Sequence, residues 1–303
     1  MKVAMKVAAL PHPWVLVAAK LYAYWLLSKP RVTLLVCFST AAGLILGGLG
    51  RPLRAELIVA TLIGSWLVVA SANAFNQVIE WRTDARMKRT AMRPIPSGKV
   101  GVREGWLIAT VWGVVGIWIL ALLVSKLVAL LGVLSIGLYA FAYTPLKRIT
   151  PFCTVVGAIP GAMPPLAGWV AATGQLPSPA LLLFALQFVW QFPHLWAIAW
   201  FNRCDYERAG IRLLPSQQPS RVAMLILLAT LGMIGVSLLL SPFLSAPLPY
   251  LLGAGLLGAW HLRHSLRFYR TPDRQHARGV LLASVLYLPL LLVWLILSQL
   301  WRG

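Results

Sequence analysis

Nine stretches of about 20 apolar residues recur along the chain, near 31–49, 55–79, 105–124, 126–144, 152–172, 179–200, 221–240, 247–268 and 280–300. A helix of about 20 residues spans the hydrocarbon core of a bilayer. Apolar residues make up 59% of the 303 and charged residues 11%, against about 25% charged in soluble domains. A chain this apolar would present large greasy patches to water, so its solvent is lipid. The sequence therefore predicts an all-α membrane protein with about nine transmembrane helices. The fifth stretch carries Pro160, Pro164 and Pro165 and is expected to be kinked.

The net charge of +20 comes from 27 basic and 7 acidic residues. In this setting it predicts no nucleic acid, because basic residues gather at the cytoplasmic face beside anionic lipid. Counted over the loops, 23 basic residues fall on one side and 4 on the other. The expected topology has the amino terminus cytoplasmic and the carboxyl terminus outside. Residues 1–28 read as an interfacial or cytoplasmic lead-in with Trp14 and Tyr22 as anchors, not as a cleaved signal peptide. Residues 29–303 read as one transmembrane domain. Cys37, Cys153 and Cys204 have no metal-type spacing, and no disulfide is expected.

Seven acids are so few that their clustering carries information. Asn76, Glu80 and Asp84 recur every four residues where an apolar helix meets the basic side. That spacing puts three oxygen-bearing side chains on one helix face. Asp205 and Glu207 follow the sixth stretch on the same side, and the pair of sites hints at a duplicated four-helix unit. Carboxylates suit a hard divalent ion, and magnesium commonly shares them with a substrate phosphate. The plainer alternative is a solvated helix end whose acids pair with neighbouring arginines. Arg89, Arg93, Lys147 and Arg148 lie in adjoining loops and suit phosphate oxygens. Trp190, Gln191 and Tyr143 are candidates to line an apolar cavity whose ring faces stabilise a carbocation.

Asn76-x3-Glu80-x3-Asp84-x2-Met87-x-Arg89-Thr90-x2-Arg93-Pro94 resembles the first signature of the protohaem IX farnesyltransferase branch of the UbiA-type membrane prenyltransferases. Tyr143-Thr144 with Leu146-Lys147-Arg148, followed by Gly161 to Trp169, resembles the central signature. Trp190 to His194 and Asp205 to Pro215 resemble the third, and Lys29-Pro30 also fits. The likeness runs from about 29 to 298.

This resemblance implies nine helices around a central cavity, farnesyl diphosphate as donor, protohaem IX as acceptor and magnesium as the ion. It implies Asn76, Glu80, Asp84 and Asp205 as catalytic, with Glu80, Asp84 and Asp205 holding the metal. His194 becomes a candidate to bind haem iron, move a proton or contact diphosphate. A bacterial inner membrane, a cytoplasmic active site, and a downstream haem A synthase or terminal oxidase assembly also follow from it. Glu80 stands where the superfamily more often has aspartate, and Ala209 where it often has a second aspartate. Cys153 stands where an asparagine-like residue is expected. A sister enzyme acting on a quinone precursor or chlorophyll-type ring is the nearest alternative, and a transporter the next. A transporter places ionisable groups near the bilayer midplane, whereas these acids sit at helix ends.

Overall fold

The computed structural model describes residues 12–300 and is helical throughout. The first eleven residues of the expected lead-in, with Lys2 and Lys6, lie outside the described residues, as does Arg302. The helices are α1 (Pro13–Leu27), α2 (Pro30–Gly47), α3 (Ala55–Asp84), α4 (Val102–Leu123), α5 (Lys126–Leu146), α6 (Cys153–Thr173), α7 (Ser178–Phe201), α8 (Arg203–Arg208), α9 (Pro219–Leu238), α10 (Pro247–Arg270) and α11 (Arg274–Leu300). Prolines sit in the first turn of α1, α2, α7, α9 and α10, where a missing N–H costs nothing.

Among the described residues nine helices are long enough to cross a bilayer, and eight of them are also apolar enough. The exception is α10, whose last turns carry Arg263, His264, Arg267 and Arg270. Its outward stripe is nonetheless Leu248, Leu252 and Leu256, all well exposed, while Tyr250, Ala254, Gly258 and His261 face inward. It packs between α9 and α11 like any other member of the bundle.

The exposure pattern is that of a protein dissolved in lipid. In α4 the outward positions are Leu107, Val111, Val114, Trp118 and Leu122, and the buried ones are Gly105, Ala109, Gly113 and Gly116. Lipid tails are as apolar as leucine, so helices gain most by bringing small residues together. The α2–α6 crossing shows this: a Cβ added at Gly43 would meet the Pro165 carbonyl, and one at Gly168 would meet that of Thr40.

Three features go beyond the expected pattern. The third helix runs to Asp84, five residues past the apolar stretch, so all of Asn76, Glu80 and Asp84 are helical. Helix α6 is unbroken by its three prolines. Pro165 has no N–H for the Gly161 carbonyl, and Gln187 of α7 donates to that oxygen at 2.7 Å instead. Gln191 adds a further bond between the two helices, donating to the Ala158 carbonyl at 2.8 Å. Finally, α5 contains a π-helical segment at Gly137–Tyr143, a distortion that often marks functional sites. All three cysteines are free.

Candidate active site

The carboxyl-terminal end of α3 meets the start of α2 and the end of α5. Gln77 and Asn73 of α3 donate to the carbonyls of Leu27 and Ser28, at 2.7 and 3.2 Å, and so fasten the α1–α2 corner. That corner presents Lys29 in a left-handed conformation, φ 51°, the one positive φ of a non-glycine residue among the described residues. Pro30 disfavours a right-handed helical residue before it, and a strained side-chain-bearing residue is commonly found at a functional site. Lys29 Nζ donates to Asn76 Oδ1 at 2.8 Å. Asn76 in turn donates to Glu80 Oε2 at 2.7 Å and to Thr144 Oγ1 at 3.1 Å. Lys147 Nζ donates to both oxygens of Glu80 at 3.0 Å and lies 4.5 Å from the centroid of the Tyr143 ring.

One turn beyond Glu80, Asp84 is 1% exposed, and its Oδ2 accepts from Arg93 Nη1 at 2.7 Å. The chain returns after Asp84 because Thr90 Oγ1 donates to the Asp84 carbonyl at 2.8 Å. Arg148 donates to Thr83 Oγ1 from an exposed position. The result is an alternating set: cations Lys29, Lys147 and Arg93 around carboxylates Glu80 and Asp84. Burial, then the charges of Arg93 and Lys147, pull the Lys29 ammonium well below the usual lysine range. Burial acts the same way on Lys147, but Glu80 outweighs it and the lysine's pKa is raised. A polyanion arriving here would relieve the crowding of like charge around Lys29.

Asp205 lies on the short helix α8, where Arg208 pairs with it at 3.2 Å. Its neighbour Tyr206 accepts from exposed Arg89 at 3.3 Å. Met87, Tyr143, Cys153, Ala209, Ile211 and Leu213 pack together beneath these residues, so the 85–101 and 203–214 segments close one end of the bundle side by side. The Cys153 thiol is buried against the Arg212 carbonyl at 3.8 Å. Among the described residues, no three histidine, cysteine or acidic side chains gather closely enough to hold a metal alone. Glu80 and Asp84 offer one carboxylate each, hard donors of the kind magnesium uses when phosphates and water complete its shell.

A cavity of about 350 Å³ opens beside this set, lined by α2, α3, α5, α6, α7 and α11 with Leu120 of α4. Its walls are mainly apolar and include Tyr139 and Tyr143, which pack together, with Lys147 over the Tyr143 ring. On the far wall Trp190 stacks on His194 with ring centroids 4.7 Å apart. Trp190 Nε1 donates to the Ser284 carbonyl at 2.8 Å. Gln191 lines the same cavity, although its amide is engaged with α6.

The sequence reading brought Asn76, Glu80, Asp84, Arg93 and Lys147 to one place, and the structure joins them. It leaves Arg89 and Arg148 at the rim and Asp205 paired within its own helix. It adds Lys29, Thr144 and Tyr139. Of these Lys29, as part of Lys29-Pro30, and Thr144, as part of Tyr143-Thr144, had a sequence signal, and Tyr139 had none.

The UbiA prenyltransferase family profile matches residues 35–288. A protein of Koribacter versatilis named protoheme IX farnesyltransferase is 40% identical, over 96% of this chain and 97% of its own length. One from Flavobacterium psychrophilum with the same name is 39% identical over 91% and 94%. Among solved structures, a digeranylgeranylglyceryl phosphate synthase superposes with a TM-score of 0.75 at 15% identity, covering 92% of this chain and 98% of that one. A UbiA homologue from Archaeoglobus fulgidus, bound to GPP and Mg2+, superposes with a TM-score of 0.62 at 14% identity, covering 90% and 99%.

Proposed function

We propose that this chain, which belongs to the UbiA prenyltransferase family, transfers a farnesyl group from farnesyl diphosphate to a vinyl group of protohaem IX, giving haem O and diphosphate. The observation that carries the reading is the joined set of Asn76, Glu80, Asp84, Lys29, Arg93 and Lys147 beside an apolar cavity, which it meets through the Tyr143 ring. Likeness over nearly whole chains to relatives named for this acceptor supports the haem assignment.

Glu80 and Asp84, with Asp205 from the adjoining segment, are the residues that would hold magnesium. Magnesium supplies positive charge to the diphosphate as it leaves. Lys29, Arg93 and Lys147 bind the remaining diphosphate oxygens, and Arg89 and Arg148 draw the anion in from the rim. Asn76 orients Glu80 by its hydrogen bond and takes its own direction from Lys29. Tyr143 and Tyr139 turn ring faces toward the allylic carbon as positive charge develops there. The farnesyl tail lies in the apolar cavity, which keeps bulk water from the cation. Trp190, Gln191 and His194 form the wall against which the haem is positioned.

Residues 29–303 form the transmembrane prenyltransferase domain, with 1–28 as its interfacial lead-in. The site faces the cytoplasm of a bacterial inner membrane, and a haem A synthase or terminal oxidase assembly takes the product. The basic asymmetry sets the orientation: a reporter after Gly303 should be periplasmic and one near Ser97 cytoplasmic. Both reporters on one side would overturn it. Expression in a host lacking haem O, followed by haem extraction, should yield a new and more hydrophobic haem. Unchanged haems beside a prenylated quinone precursor would refute the acceptor assignment.

A further inference from the structure

Ser284 of α11 is fully buried, and it meets two side chains of α7. Its carbonyl accepts from Trp190, and its hydroxyl lies 2.8 Å from His194 Nδ1. The same hydroxyl oxygen lies 2.7 Å from the Leu281 carbonyl. A carbonyl only accepts, so the single hydroxyl proton belongs on that contact, a back-bond common for serine in helices. Nδ1 must then bring its own proton to Ser284. This fixes the neutral tautomer of His194: Nδ1 carries hydrogen, and Nε2 keeps its lone pair. His194 lines the cavity, and with Nδ1 tied to α11 its Nε2 is the nitrogen left to face it. Stacking on Trp190 holds the ring plane.

The reaction proposed above leaves one proton without a destination. When farnesyl C1 bonds to the outer vinyl carbon, the inner vinyl carbon becomes cationic. Water attacks that carbon, a C–O bond forms, and an O–H bond must break. We propose that His194 Nε2 accepts this proton, and that Ser284 is the positioning residue that keeps the Nε2 lone pair free toward the cavity. The O–H electron pair stays on the new hydroxyl, and the imidazolium returns its proton to water when the site reopens. No oxidant or reductant is involved. The inference rests on the haem reading and adds to it the step that makes the product an alcohol. Without a base for water, the cation instead loses a carbon-bound proton and gives an alkene, lighter than the alcohol by one water.

The test is product mass after turnover with protohaem IX, farnesyl diphosphate and magnesium, using the full-length protein. The parent should give the hydroxylated haem. His194→Gln should still release diphosphate and form the carbon–carbon bond, while water capture slows about 10²-fold, the low end for a general base. Its product should therefore shift to the dehydrated haem. Ser284→Ala, which keeps His194 and nearly its volume, should shift the mixture in the same direction, and Ser284→Thr should restore the alcohol. A purely structural role would slow both products together and leave their ratio unmoved, which would overturn the proposal. An altered haem absorption spectrum in His194→Gln with wholly hydroxylated product would make His194 an iron ligand and also overturn it. If the parent itself farnesylated no haem, the haem reading would fail and carry this proposal with it. Hydroxylated product from parent and variants alike would sink this proposal alone.

Discussion

Asp84→Asn should lower farnesyl transfer by about 10²–10³-fold, the usual cost of losing one positioned electrostatic group, while folded yield stays near that of the parent. Asp84 is 1% exposed and bonds Arg93 through Oδ2 alone. The asparagine keeps the size and retains an oxygen for Arg93, so the 85–101 turn should close as before. What it removes is the negative charge that, in the proposed mechanism, would hold magnesium against diphosphate. Haem binding should persist, since neither acid lines the cavity whose wall includes Trp190, Gln191 and His194, the residues proposed to position the haem. Part of the lost rate should return as magnesium is raised. If Asp84 served only to hold Arg93, the variant would lose stability and keep its turnover. Near-parental turnover at low magnesium would remove the metal–diphosphate reading.

Lys147→Met should destabilise the protein by about 3–5 kcal/mol, the cost of leaving one partner of a buried ion pair uncompensated. Side-chain exposure is 10% for Lys147 and 7% for Glu80, and the lysine holds both carboxylate oxygens. Adding Glu80→Gln removes the stranded charge, so the double variant should recover most of the lost Tm. It should remain inactive, because both a diphosphate cation and a metal carboxylate are gone. Thermal unfolding in detergent and turnover, measured on the same preparations, separate the two effects. A double variant that regains turnover along with Tm would make the pair a structural brace and nothing more.

The helices were legible because lipid imposes a length and an apolarity that no loop imitates. Even α10, with its basic last turns, showed a span-length stretch. The Asn76–Glu80–Asp84 face was legible because helical spacing alone aligns it. What remained hidden depends on long-range contacts. Lys29 reaches Asn76 across 47 residues and Thr144 reaches it across 68, and no local pattern announces such meetings. The π-helical segment at Gly137–Tyr143 has no sequence signature to read. The effect of Pro160, Pro164 and Pro165 was argued from α6 alone. The glutamine that meets the carbonyl left open by Pro165 lies on α7, as does Gln191, which read only as a substrate contact and also bonds the α6 backbone. Asp205 was grouped with Glu80 and Asp84 by chemistry, yet as the chain stands its partner is Arg208.

The most direct measurement is turnover of purified protein with protohaem IX, farnesyl diphosphate and magnesium, with haems and diphosphate quantified together. The account predicts a farnesylated haem and diphosphate in equal amounts, and no product once a chelator removes the magnesium. Diphosphate released with the haem unmodified, or the farnesyl group delivered to a hydroxybenzoate while haem is left untouched, would contradict it.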